Sequence, residues 1–244
     1  MLIAMCLGVL LVAVVVAYFL PHGLRYEKMW RAKPILTKKR LLALTYDDGP
    51  SSDATPALLD LLAAYNAKAT FFPLGCNGAA HPELLDRMIR EGHLVGCHGN
   101  LHVSAWRASP WGAVTNIVMG FELLRSWTPR DGYFRPPHGR LTLPTWLFLC
   151  FRRAKVWWWT LDSGDTYEVL PSAEDIAEQA RRAGGGVVLM HDANKHDGRL
   201  GFLLETTEVL LKMARKEGLR VCTLEELDRR IATADVRDAV VMGS

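Results

Sequence analysis

Two adjacent carboxylates, Asp47 and Asp48, end the apolar run that begins at Leu41 and lead into the turn Gly49-Pro50. Like charges side by side in a half-buried place are costly unless a cation or a proton separates their roles. One carboxylate can then ligate a metal while the other acts as a base. Further along, His98 and His102 stand four residues apart. If a strand turns into a helix there, both imidazoles project from one face and can share a cation. Asp48, His98 and His102 make a two-histidine, one-carboxylate set that leaves positions open for water and substrate. Zinc is the first choice of divalent metal; cobalt, manganese, nickel and iron suit the same donors.

A metal that polarises a carbonyl and activates water still needs proton management. Asp47 is the candidate base, and Arg135 the partner that holds it ionised and oriented. His191 closes the run Val187-Val188-Leu189-Met190 and is the candidate acid for a leaving amine. Asp165 is the carboxylate chosen to keep that imidazole protonated and turned. His22, His81, His93, His138 and His196 have no comparable setting and read as linker or loop side chains. Cys97, beside His98, reads as a buried strand thiol.

Short apolar runs carry these residues: 41–45, 69–72, 93–97, 133–135, 156–161, 187–190 and 219–222. Between them, 55–65, 82–91, 111–127, 173–183 and 203–217 show the three- and four-residue apolar spacing of helices. Alternating strands and helices predict a parallel sheet flanked by helices, open or closed into a barrel. In such α/β folds the carboxyl ends of the strands share one face, where ligands bind. Asp47, Asp48, His98, Arg135, Asp162, Asp165 and His191 all fall at or just after predicted strand ends.

The chain has 244 residues, 50% hydrophobic and 23% charged, which is globular rather than disordered composition. A formal net charge of +3, with no basic patch on a recognisable nucleic-acid module, gives no case for nucleic acid. Residues 1–20 contain no charged side chain, the length that crosses a bilayer. They lack the basic start and cleavage site of a secretory signal, so residues 1–21 are expected to be a transmembrane anchor. Residues 22–40 are expected to be a basic juxtamembrane linker, 41–232 the catalytic domain and 233–244 a tail. The basic flank leans towards a cytoplasmic catalytic domain, with an exported domain as the alternative. Five scattered cysteines argue against a disulfide framework.

The ordered set Thr45-Tyr46-Asp47-Asp48-Gly49-Pro50, His98-x-x-x-His102, Arg135-Pro136-Pro137-His138-Gly139, Asp162-x-x-Asp165 and Leu189-Met190-His191 resembles the polysaccharide deacetylases, the carbohydrate esterase family 4 or NodB homology domain. The similarity spans about residues 40 to 230. It implies a distorted (β/α) barrel behind the transmembrane helix, and metal-dependent removal of N-acyl groups from amino sugars. By position, Asp47 is the base, Asp48, His98 and His102 hold the metal, Arg135 orients the base, and His191 is the acid tuned by Asp165. Pro137, His138 and Gly139 fall in the substrate-binding motif, with the main-chain amide at His138 helping to hold the oxyanion. The implied partners are an acylated amino-sugar polymer or a lipid-linked sugar, at a membrane. A lipid-linked sugar deformylase and a catalytically silent glycan-binding module are the alternatives. Four positions depart from the pattern: Tyr46 for Phe, Gly99 for Ser or Thr, His138 for Tyr, and Thr166 for the Trp that usually walls the acyl group.

Overall fold

Seven of the eight residues of β1 (Leu41–Asp48) are buried, the pattern of a central strand covered on both faces. The computed structural model describes residues 2–129, 131–193 and 198–242. β1 pairs in parallel with β2 (Thr70–Pro73) and β7 (Gly186–His191). β3 (Leu94–Val95) lies beyond β2, and β6 (Leu161–Asp162) beyond β7, in the order β3-β2-β1-β7-β6. A second parallel pair joins β4 (Tyr133–Phe134) to β5 (Lys155–Val156). A bridge from Cys97 to Phe134 continues the ladder from β3 towards β4. At the other side the single segment from β5 to β6 carries the chain back to the main sheet. β8 (Arg220–Val221) pairs with the first two residues of β1. The sheet thus curls into a distorted (β/α) barrel with the polar strand ends at one pole.

The run 156–161, expected as one strand, is laddered only at its two ends. Trp157 N bonds Phe134 O at 2.9 Å, but Thr160 N bonds Val187 O at 2.9 Å, so the intervening turn switches partner strands. That turn buries Trp157 and Trp158. The helices α2 (Thr55–Ala64), α4 (Pro82–Arg90), α5 (Pro110–Leu123), α7 (Ala173–Ala183) and α8 (Arg199–Glu217) occupy the periodic segments. Helices α3 (Gly75–Ala80), α6 (Leu143–Arg152) and α9 (Leu224–Met242) were not expected. The sequence Leu-Pro-Thr-Trp-Leu-Phe-Leu-Cys-Phe-Arg of α6 is apolar on nearly every side, which hides the helical period. α9 runs through much of the expected tail; residues 243–244 and His196 lie outside the described residues.

Residues 22–39, expected as part of a basic juxtamembrane linker, are helical: α1 (Leu2–Lys39) is one helix from the apolar run to the start of β1. Ala32 and Leu36, four apart on one face, are buried against the barrel. The Arg25 guanidinium lies 4.5 Å from the Trp159 ring centroid and the Lys28 ammonium 4.3 Å from that of Trp157. The basic residues therefore cover the tryptophan turn with their stems and charges, and the lower half of α1 becomes a wall of the barrel.

Candidate active site

At the tip of β1 the backbone of Asp48 is left-handed, with φ +72°. Successive strand side chains normally alternate between faces. The reversal at Asp48 lets both carboxylates reach His98: its Nε2 is 3.8 Å from Asp47 Oδ2 and 3.5 Å from Asp48 Oδ1. His102 Nε2 is 3.8 Å from the same Asp48 oxygen. One ligand atom from each of Asp48, His98 and His102 falls within 4.8 Å of the others. The condition of a strand turning into a helix at 98–102 is not met, yet the two imidazoles still converge. Gly99 (φ +84°) turns the chain, and Asn116 of α5 clamps Leu101 through both its N–H (2.9 Å) and its C=O (3.0 Å). A Cβ at position 99 would collide with the Asn116 amide, which accounts for glycine there.

The donor set fits a divalent cation on two grounds. Asp48 Oδ1 is buried without a hydrogen-bond partner among the described residues, an expensive state for a carboxylate oxygen. His98 Nδ1 lies 2.7 Å from the Arg135 carbonyl, which can only accept, so Nδ1 carries the proton and Nε2 presents its lone pair to the cleft. Burial pushes the His98 pKa down to about 3, keeping the imidazole in its neutral, ligating form.

Behind the triad, Arg135 is fully buried. Its Nη1 donates to Asp47 Oδ1 at 2.9 Å and Thr45 Oγ1 at 2.7 Å, and its Nη2 to Trp158 O at 3.0 Å. The Phe72 ring lies against the guanidinium, 4.4 Å from its centroid. Thr45, in turn, donates to Val188 O at 2.5 Å. Burial raises the Asp47 pKa against the opposing charge and hydrogen bond of Arg135. On the far side of the cleft, Asp165 takes His191 by two bonds, from Nδ1 at 2.9 Å and from the main-chain N–H at 2.7 Å. Burial lowers the His191 pKa, but the Asp165 hydrogen bond and charge, with the charges of Asp47 and Asp48, outweigh it and lift the value to about 9.

Of these groups, Asp47, His98, His102 and His191 line a cleft of about 470 Å³, within the range of small-molecule sites. His138, itself left-handed (φ +55°), brings its ring centroid to 4.2 Å from that of His102. Of the motif around it, Pro136, His138 and Gly139 line the cleft; Pro137, expected to bind substrate, is not among its lining residues and is buried. Thr166 lines the wall, and Trp159 faces the same cleft.

Sequence reasoning missed the residues that hold the β1 tip. Asp192 N donates to Asp47 O at 3.2 Å, its carbonyl accepts from Ser51 Oγ at 2.7 Å, and its Oδ2 accepts from Thr55 Oγ1 at 2.7 Å. A Cβ on Gly49 would collide with the Asp192 carboxylate. Asn77 Nδ2 bonds Asp48 O at 2.7 Å. A second acid directly after His191 was the available signal for Asp192. His93 is no loop residue: it is buried, its Nδ1 accepts from Ala69 N at 3.1 Å, and burial lowers its pKa to about 4.

Residues 35–148 match the family model described as polysaccharide deacetylase. The chain is 30% identical over 200 residues to a peptidoglycan-N-acetylglucosamine deacetylase of Bacillus cereus, covering 78% of this chain and 89% of that protein. It is 33% identical over 222 residues to the peptidoglycan-N-acetylglucosamine deacetylase PgdA of Listeria monocytogenes, covering 86% of this chain but 42% of that longer protein. Among solved structures, the Bc1960 peptidoglycan N-acetylglucosamine deacetylase, in complex with 4-naphthalen-1-yl-N-oxidanyl-benzamide, superposes with a TM-score of 0.70 at 27% identity, covering 78% of this chain and 89% of that one.

Proposed function

The chain belongs to the polysaccharide deacetylase family, and on that premise we propose that it is a metal-dependent hydrolase removing N-acetyl groups from the amino sugars of a glycan or glycolipid. The observation that carries this reading is the opposition of two buried pairs across one donor triad: Asp47 with Arg135, and His191 with Asp165. Asp48, His98 and His102 would hold the divalent metal, zinc by preference, which when bound supplies Lewis acidity to the acyl carbonyl and lowers the pKa of water. Asp47, whose proton affinity burial raises, takes the proton from the attacking water, while Arg135 keeps the carboxylate aimed into the cleft. The main-chain amide of His138 helps to stabilise the oxyanion that develops on the acyl group. His191, held protonated by Asp165, gives its proton to the sugar nitrogen as the C–N bond breaks. A C–O bond has then replaced the C–N bond, and the products are acetate and the free amino sugar.

The apolar part of α1 is long and apolar enough to cross a bilayer. We assign it as a retained single-pass anchor with the catalytic domain on the cytoplasmic side, following the basic residues that come after it. A reporter fused to the C-terminus reads the sidedness. The catalytic reading is tested with the metal-stripped full chain in detergent, restored with zinc or cobalt and given N-acetylated chitooligosaccharides. Acetate and free amine should appear in equal amounts only with metal, and Asp48→Asn should lose metal and release together. Bound metal with no release from any acyl sugar would favour a silent glycan-binding module.

A further inference from the structure

The apolar helix leaves the molecule at the pole that carries the cleft. α1 and β1 meet at the opposite pole, where Thr37 Oγ1 bonds Ala183 O at 3.0 Å and Arg220 N bonds Arg40 O at 2.8 Å. From there they run antiparallel. The eight residues of β1 climb about 26 Å at the usual strand rise. α1 gains the same height in about 18 residues, which sets Pro21 level with the catalytic carboxylates. Arg25, just below, lies over Trp159 at the cleft wall. Just above, Tyr18 and Phe19 each stand 6.1 Å, ring to ring, from Trp106, in the loop that follows His102. Beyond them the helix is uncovered, with Val9 66% and Leu11 65% exposed.

The rim at this level has the composition of a headgroup-facing surface. Arg107 and Arg140 are exposed, and the Arg140 guanidinium sits 5.0 Å from the Trp106 ring centroid. At the same pole the loops that follow the carboxyl ends of β3 and β6, and the start of α5, expose Leu101 (51%), Trp111 (81%), Tyr167 (54%) and Val169 (82%). Arginines interleaved with aromatic and aliphatic side chains suit the boundary between anionic headgroups and acyl chains. Away from this rim, Phe151 with Leu147 on α6 and Trp30 with Tyr26 on α1 are also exposed, as pairs four residues apart with no arginine cluster of this kind beside a cleft among the described residues.

We propose that the cleft opens onto the bilayer surface and that its substrate is membrane-tethered: an N-acyl amino sugar joined through phosphate or pyrophosphate to a lipid. The sugar enters the cleft while Arg25, Arg107 and Arg140 receive the phosphate, as arginine forks do. This rests on the deacylase reading and narrows it, since a glycan polymer would have to thread between the rim and the bilayer.

The test uses the full, zinc-loaded chain in lipid nanodiscs. Polyprenyl-pyrophosphate-linked N-acetylglucosamine in the same disc is compared with soluble chitotetraose, by acetate release. A fluorescent amino acid at position 169, or at position 216 on the opposite pole, reports depth through a lipid-borne quencher. The expected result is quenching at 169 and not at 216, with kcat/KM for the lipid-linked sugar at least about tenfold above chitotetraose, from shared confinement in the bilayer. Quenching at 216 equal to that at 169 would overturn the orientation. Preference for chitotetraose would overturn the substrate class while leaving the deacylase reading intact. Release from neither, with metal bound, would remove both.

Discussion

The Asp47–Arg135 and His191–Asp165 pairs have the same ingredients, a carboxylate and a cation 2.9 Å apart with little solvent, yet burial prevails in the first and is outweighed in the second. Arg135 divides its donors among Asp47, Thr45 and the Trp158 carbonyl, so only part of its charge is spent on the carboxylate. Desolvation then raises Asp47 despite its partner. Asp165 spends both oxygens on one residue, and Asp47 and Asp48 add their charge, so His191 stays protonated to about 9. The difference teaches how one buried cleft can hold the two proton states that the proposed base and acid need: partner geometry, more than depth, sets which state is held.

Substitutions that break one pair should leave the other standing. The largest effect is expected from Asp47→Asn, which keeps shape and removes the proposed base: kcat should fall about 10³-fold with metal content by elemental analysis unchanged. Asp165→Asn should lower kcat about 10²-fold and move the alkaline limb of the pH–rate profile towards acid. It should also alter stability in a defined window. The folded-state pKa of His191 is raised from 6.5 to about 9, so its contribution is fully present below 6.5 and is lost as pH rises through about 9. Urea unfolding of the metal-free protein across that window should show the loss in the native chain and not in Asp165→Asn. The smallest effect is expected from Arg135→Lys, which keeps a charge but not the fork: about tenfold in kcat and about 2 kcal/mol in unfolding free energy. An equal loss in all three variants would mean that the two pairs are not separate devices.

Much of the site was legible because chemistry-bearing residues follow apolar runs, and parallel strands bring those ends together without further information. Asp47, Asp48, His98, Arg135, Asp165 and His191 meet for that reason. What was illegible depends on contacts distant in sequence. No local signal gives the left-handed Asp48, since its conformation is held by Asn77 from α3 and by the Asp192–Gly49 packing across from β7. The four-residue spacing of His98 and His102 is used by a turn fixed by Asn116 of α5 rather than by a helix. The sequence of residues 22–39 carries a basic flank but no sign that Arg25 and Lys28 lie on tryptophan rings of the barrel seam.

The most direct test of the paired acid–base account is the pH–rate profile of acetate release by the zinc-loaded full chain, measured beside Asp47→Asn and Asp165→Asn. The account predicts a bell whose alkaline limb shifts to lower pH in Asp165→Asn, and near-complete loss at every pH in Asp47→Asn. An unshifted alkaline limb in Asp165→Asn, or wild-type rates in Asp47→Asn, would contradict it.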